Sequence, residues 1–177
     1  MSEPLWVFGY GSLIWRPDLP HEDVRLGFIQ HYERRFWQGS PDHRGTEDAP
    51  GRVVTLVPRR GAVCWGLAYR IPAPDRDEVL ARLDHREKAG YARVLAPFAD
   101  PGGAFFAQVL FYVAGADNPN FIGPAPLDEM AAHVLRSVGP SGPNREYVLR
   151  LADALQTLGV LDEHVAALAA RVRQLQP

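Results

Sequence analysis

The hydrophobic pattern of this chain changes period once, and that change limits the folds open to it. From Trp6 to about Val113, short β-branched and aromatic runs alternate with Gly and Pro, which is the signature of strands. Six candidates stand out: Trp6–Tyr10, His31–Gln38, Arg52–Val57, Cys64–Arg70, Tyr91–Pro97 and Phe105–Val113. Pro58 is expected to close the third, and Gly66 to mark a bulge or close backbone approach in the fourth. One helix interrupts them. Pro74-Asp75 followed by Glu78 resembles an N-terminal cap, with Val79, Leu80 and Leu83 on one face. After the loop Gly115–Pro126 the period becomes 3.6. Leu127, Met130, Ala131 and Val134 form one stripe, and Tyr147, Leu151, Leu155 and Leu158 a second. Leu161, Val165, Leu168, Val172 and Leu175 form a third, with Gly159 as the stop before it. These stripes are expected to be core faces packed on the sheet. Strands first and helices afterwards favour an α+β fold over a doubly wound parallel one.

Length and charge narrow the functional classes. At 177 residues, one domain with its own core is expected. Lys plus Arg is 19 against 21 for Asp plus Glu, a net charge of −2, so no basic surface points to a nucleic-acid partner. The single cysteine, Cys64, excludes an intrachain disulfide framework and reads as a small buried hydrophobe. The six histidines show neither H-E-x-x-H nor i, i+4 spacing, so no metal is expected. No run approaches the roughly 18 apolar residues of a membrane span. The opening MSEPLWVFGYGSLIW lacks a basic n-region. A cytoplasmic protein with no membrane partner is the expectation.

Four segments carry residues capable of chemistry. Phe8-Gly9-Tyr10-Gly11-Ser12-Leu13 follows a short apolar strand, where paired glycines expose successive N–H groups. Such a nest holds a carboxylate or an oxyanion; taken alone, the same residues form a plain tight turn. Ile14 stands where a dinucleotide fingerprint needs its third glycine, and Ser12 is not in a G-x-S-x-G elbow. In Leu83-Asp84-His85-Arg86-Glu87-Lys88-Ala89-Gly90-Tyr91, Glu87 sits where a helix gives way to a strand. It is a candidate general base, or else a surface acid paired with Arg86, Lys88 or Arg93. The polar loop Gln38–Thr46, continuing to Arg52, is a binding lid or a solvated excursion, with Arg44 and Arg52 as candidate partners for substrate carboxylates. Gly139–Tyr147 feeds a helix with Asn144 as its expected cap; Tyr147 is a core residue or reaches a site with its hydroxyl.

Together these segments resemble the ChaC-type γ-glutamylcyclotransferases, the glutathione-specific branch of that family. The carriers are WVFGYGSLIW (Trp6–Trp15), RRFWQGSPDHRGT (Arg34–Thr46), PGRVVTLV (Pro50–Val57), LDHREKAGY (Leu83–Tyr91), DNPNFIGPAP (Asp117–Pro126) and SGPNREYVLRLA (Ser141–Ala152), in the family's order. The resemblance implies an α+β fold, a small mixed β-barrel-like sheet with flanking helices, active without metal or organic cofactor. It implies a substrate loop at Val7, Phe8, Gly9, Tyr10, Gly11, Ser12 and Leu13, a catalytic acid at Glu87, and pocket-facing tyrosines at Tyr91 and Tyr147. Glutathione is then the small-molecule partner, cleaved to 5-oxoproline and cysteinylglycine. A cyclotransferase for other γ-glutamyl amino acids or γ-glutamylamines, a non-catalytic γ-glutamyl-binding module, and a protein-interaction domain with an aromatic surface stay open beside it.

Overall fold

Leu5–Gly9, strand β1, is buried along its whole length, and one sheet is organised around it. The computed structural model describes residues 4–85 and 90–176. After β1 come β2 (Asp23–Ser40), β3 (Gly51–Ile71), helix α1 (Arg76–Asp84), β4 (Tyr91–Ala99) and β5 (Phe105–Ala114). Then follow α2 (Leu127–Arg136), the two-residue strands β6 (Val138–Gly139) and β7 (Gly142–Pro143), α3 (Asn144–Thr157) and α4 (Glu163–Leu175). The chain forms two compact units, Met1–Glu33 with Leu56–Asn118, and Arg34–Thr55 with Pro119–Pro177.

The sheet closes into a barrel in the order β1-β3-β2-β4-β5. In the first unit, β1 runs antiparallel to β3, with Val7 opposite Tyr69, and parallel to β5, with Val7 opposite Leu110. Strand alternation divides the apolar side chains between two faces. Trp6 and Phe8 pack with Phe98, Val109, Phe111 and Val113. Leu5 and Val7 pack with Tyr69, Leu110, Tyr112 and, from α1, Val79 and Leu83. A strand covered on both faces needs an unbroken apolar run, which is why WVF and VLFYV do not alternate. The Phe8 ring lies 5.9 Å from that of Phe98 and 5.8 Å from that of Phe111. Burying each such side chain contributes about 1.5–3 kcal/mol.

Two strand expectations are corrected. Pro58 does not end a strand: Arg52–Val57 and Cys64–Arg70 are parts of the single strand β3. The proline is tolerated because Pro58–Gly61 is exposed and its missing N–H leaves no buried acceptor unsatisfied. β2 likewise begins at Asp23, eight residues before the expected His31. Gly66 is the close approach its sequence suggested, since a Cβ there would lie 2.3 Å from the Gly9 carbonyl oxygen and 2.7 Å from the Phe8 ring. Helix α1 forms where expected, but Asp75 makes no capping hydrogen bond; a 3-10 turn over Ala73–Asp75 leads the chain in.

In the second unit α2 and α3 each pack on α4. Met130, Ala131, Val134, Leu151, Leu155, Val165, Leu168 and Val172 are buried as the stripes require. Leu161, Leu127 and Leu175 are exposed instead, Leu161 most of all at 78%, because α4 starts only at Glu163 while the other two are the first residue of α2 and the last of α4. Asp162 caps that helix, accepting from the Val165 N–H at 3.1 Å and pairing with the buried Arg34 at 2.7 Å. Asn144 is not the expected cap. Wholly buried, it accepts from the Arg52 N–H at 2.7 Å and donates to the Arg52 carbonyl at 2.8 Å, clamping β3 to the start of α3. Among the described residues no helix is long and apolar enough to cross a membrane.

Candidate functional site

The loop after β1 is held by its carbonyls. Gly11 O accepts from the Ile14 N–H at 3.0 Å, and Ser12 O from Trp15 and Arg16 at 3.2 and 2.8 Å. Leu13 O accepts from the Tyr69 hydroxyl at 2.5 Å. Burial pushes the Tyr69 hydroxyl up to about 12, so it remains a donor at any working pH. With all three carbonyls engaged, the N–H groups of Gly11, Ser12 and Leu13 have no acceptor among the described residues. This is the donor row that an anionic group requires.

The neighbouring side chains divide by role. Val7 and Phe8 are each 2% exposed, packed into the two opposite apolar clusters, so their side chains are core and support the loop from below. A Cβ on Gly9 would lie 2.9 Å from Leu13 Cβ and 3.1 Å from the Tyr69 ring, so glycine lets the loop fold back onto β3. Tyr10 packs between Phe8 and Phe111, and its hydroxyl donates to Tyr112 O at 2.7 Å. Tyr112 in turn donates its hydroxyl to Asp84 Oδ1, and Arg93 lies 3.5 Å from the same oxygen. Tyr91 opens β4 opposite Ala114 and packs against the cluster of Tyr69 and Tyr112. Beside the loop is a recess of about 180 Å³, lined in part by Ser12, Leu13, Leu19, Val79 and Leu83. Ordinary small-molecule sites span about 300–1,000 Å³, so it is too small to hold a tripeptide. Glu87 lies outside the described residues.

Arg52 and Tyr147 belong to the second unit. Arg52 Nη1 donates to the carbonyls of Phe36 and Gly123, both at 2.9 Å, and its Nε to His133 Nδ1 at 3.3 Å. Among the described residues the two N–H donors on Nη2 meet no acceptor. Burial, then Arg136, pull the Arg52 guanidinium below its ordinary value, and Glu129 opposes them. The Tyr147 hydroxyl accepts from the Val54 N–H at 3.4 Å, and its ring meets Phe36 at 6.1 Å. The polar loop is anchored too: buried Arg44 binds Pro143 O and Glu146, both at 3.2 Å.

Because Arg52 Nε can only donate, His133 Nδ1 is an acceptor and the ring proton sits on Nε2, 2.7 Å from Pro50 O. Burial, with help from Arg52 and Arg136, lowers the His133 pKa despite the Pro50 bond. The unfolded chain therefore takes up this proton first, and stability should be lost as pH falls from about 6.5 through the lower folded value. We expect the urea midpoint to drop between pH 7.5 and 5.5, and to drop less in His133→Gln. Equal pH dependence in the two proteins would show that His133 is not the titrating group.

A family model described as ChaC-like protein matches residues 5–175. The chain belongs to the ChaC-like family. "Gamma-glutamylcyclotransferase 2-3" of Arabidopsis thaliana is 44% identical, over 97% of this chain and 89% of the relative. "Glutathione-specific gamma-glutamylcyclotransferase 1" of Homo sapiens is 42% identical, over 99% and 81%. A crystal structure of the yeast gamma-glutamylcyclotransferase specific to glutathione superposes with a TM-score of 0.87 at 29% identity, covering 99% of this chain and 98% of that one. The barrel and four helices of this ChaC-like chain are thus those of an enzyme family. Sequence reasoning missed Tyr69, Tyr112 and Arg93 as supports of the loop and the α1 end. Tyr69 and Tyr112 are hidden in runs that read as core, and only the register of β4 on β5 sets Arg93 opposite Tyr112.

Proposed function

We propose that this chain is a glutathione-specific γ-glutamylcyclotransferase that converts glutathione to 5-oxoproline and cysteinylglycine. The observation that carries the reading is that relatives named for this activity align along nearly the whole chain at 42% identity. The chemistry asks for few enzyme groups. The substrate's own α-amine is the nucleophile, and its nitrogen, three carbons and the γ-carbonyl carbon close a five-membered lactam. No enzyme Ser or Cys is required. The amine is mostly protonated near neutral pH, so a base must first remove a proton, and Glu87 takes it. The C–N bond to the amine forms, and the C–N bond to cysteine breaks as Glu87 returns a proton to the departing nitrogen.

The N–H groups of Gly11, Ser12 and Leu13 hold the substrate's α-carboxylate. Gripping it fixes the folded rotamer in which amine and carbonyl meet, and such orientation lowers the barrier without chemical participation. Tyr91 borders this region within the first unit. The test is incubation of the purified protein with glutathione and with γ-glutamyl dipeptides, scored for 5-oxoproline. Glutathione alone should react. Equal turnover of the dipeptides would make this a general γ-glutamyl cyclotransferase, and no product from any would leave a binding module.

Acid–base chemistry of this kind uses no metal. Exhaustive dialysis against a chelator should therefore leave the rate of 5-oxoproline formation unchanged. A loss that zinc, magnesium or manganese restores would overturn the cofactor-free mechanism.

A further inference from the structure

We infer that Tyr112 is a positioning residue for this reaction, holding the Tyr10 side chain through its carbonyl and the Asp84 end of α1 through its hydroxyl. Tyr112 is 3% exposed and lies in β5, a strand flanked by β1 and β4 and buried on both faces along its second half. A residue so placed has little freedom of its own, which makes it a fixed reference for the loop after β1 and for the end of α1.

Asp84 supplies the second half of the inference. It is the last residue of α1, where the helix dipole disfavours a negative charge. The first turn already carries Asp77 and Glu78, where that dipole favours them. Asp84 is therefore not in place for the helix. Its carboxylate is instead met by the Tyr112 hydroxyl and by Arg93, which the strand register sets opposite Tyr112. The connection that carries Glu87 departs one residue after Asp84 and the chain re-enters β4 at Tyr91, two residues before Arg93. The Asp84 carboxylate, which accepts from the Tyr112 hydroxyl and pairs with Arg93, thus joins the two ends of that connection, and the Tyr112 carbonyl ties Tyr10 of the substrate loop. The inference rests on the cyclotransferase reading, in which the separation of loop and acid must be set correctly. A misplacement of about 1 Å costs on the order of 10²-fold in rate.

The test is Tyr112→Phe, which keeps the ring in its cluster and removes only the hydroxyl, beside Asp84→Ala, Asp84→Asn and the double variant Tyr112→Phe/Asp84→Ala. We expect a melting temperature close to the parent's and kcat down by about 10- to 100-fold with KM little changed. Asp84→Asn, which keeps an acceptor oxygen, should retain more activity than Asp84→Ala. The double variant should be no slower than the slower single one. Parental kcat in Tyr112→Phe, a KM that rises in step with the loss, or additive losses in the double variant would overturn the inference. Amide exchange over Leu83–His85 gives a readout independent of turnover: faster exchange in Tyr112→Phe supports the anchor, and unchanged exchange overturns it. If the parent itself makes no 5-oxoproline, the cyclotransferase reading fails, while the exchange result still decides the contact.

Discussion

Glu87→Gln should fold like its parent, bind glutathione nearly as well, and turn it over about 10²- to 10⁴-fold more slowly, the usual contribution of a positioned acid–base group. Gln matches Glu in size but cannot take a proton from the α-amine or return one to the cysteinyl nitrogen. The loss should therefore fall on kcat and leave KM close to the parent's. The expectation rests on the carboxylate in the R-E-K-x-G-Y segment and on what the nearest described carboxylate in the sequence is doing. Asp84 already accepts from Tyr112 and faces Arg93, so it is engaged as a structural anchor and not as a free base. A variant that melts with the parent and keeps parental kcat would remove Glu87 from the mechanism and send the search to another carboxylate.

How far the sequence discloses this molecule depends on whether a signal is local. The helical stripes are local, and Met130, Leu151 and Val165 are buried as their spacing demands. The double-faced burial of β1 and β5 is also local, because a run such as VLFYV with no polar interruption needs cover on both sides. The unity of β3 is not. Pro58-Arg59-Arg60-Gly61 has the composition of a turn, and only its partner strand shows otherwise: the Gly61 N–H donates to His31 Nδ1 across the pair at 3.2 Å. Asn144 fails for the same reason. Its local preference is to cap, and a buried main chain 92 residues away outcompetes the helix for its side chain. In the site, G-Y-G-S-L is legible because a glycine-bracketed turn after a strand has few uses. The supports of that loop are not, since Tyr69 and Tyr112 differ from ordinary core residues only in where their hydroxyls end.

The second large effect concerns what the loop grips. A glutathione analogue whose γ-glutamyl α-carboxylate is converted to an amide should be a very poor substrate, although its amine and carbonyl are intact. A hydrogen bond to a charged group is worth about 1.5–3 kcal/mol against about 0.5–1.5 for a neutral one, so losing the charge weakens each loop contact by roughly tenfold. The three N–H groups of Gly11, Ser12 and Leu13 make that loss cumulative in kcat/KM, and the orientation they impose is lost with it. The protein side of the experiment is Gly11→Ala, whose added methyl obstructs the approach of an anion to the neighbouring N–H groups. It should reduce kcat/KM by at least about tenfold while the melting temperature barely moves. Gly9→Ala is the control with the opposite signature, because its Cβ would meet Leu13 Cβ at 2.9 Å and the Tyr69 ring at 3.1 Å, so it should lower the melting temperature. The two glycines thus separate a binding turn from a merely structural one. Normal turnover of the amide, with Gly11→Ala still impaired, would show that the loop reads the developing oxyanion of the γ-carbonyl instead, since that charge appears in both substrates and only in the transition state.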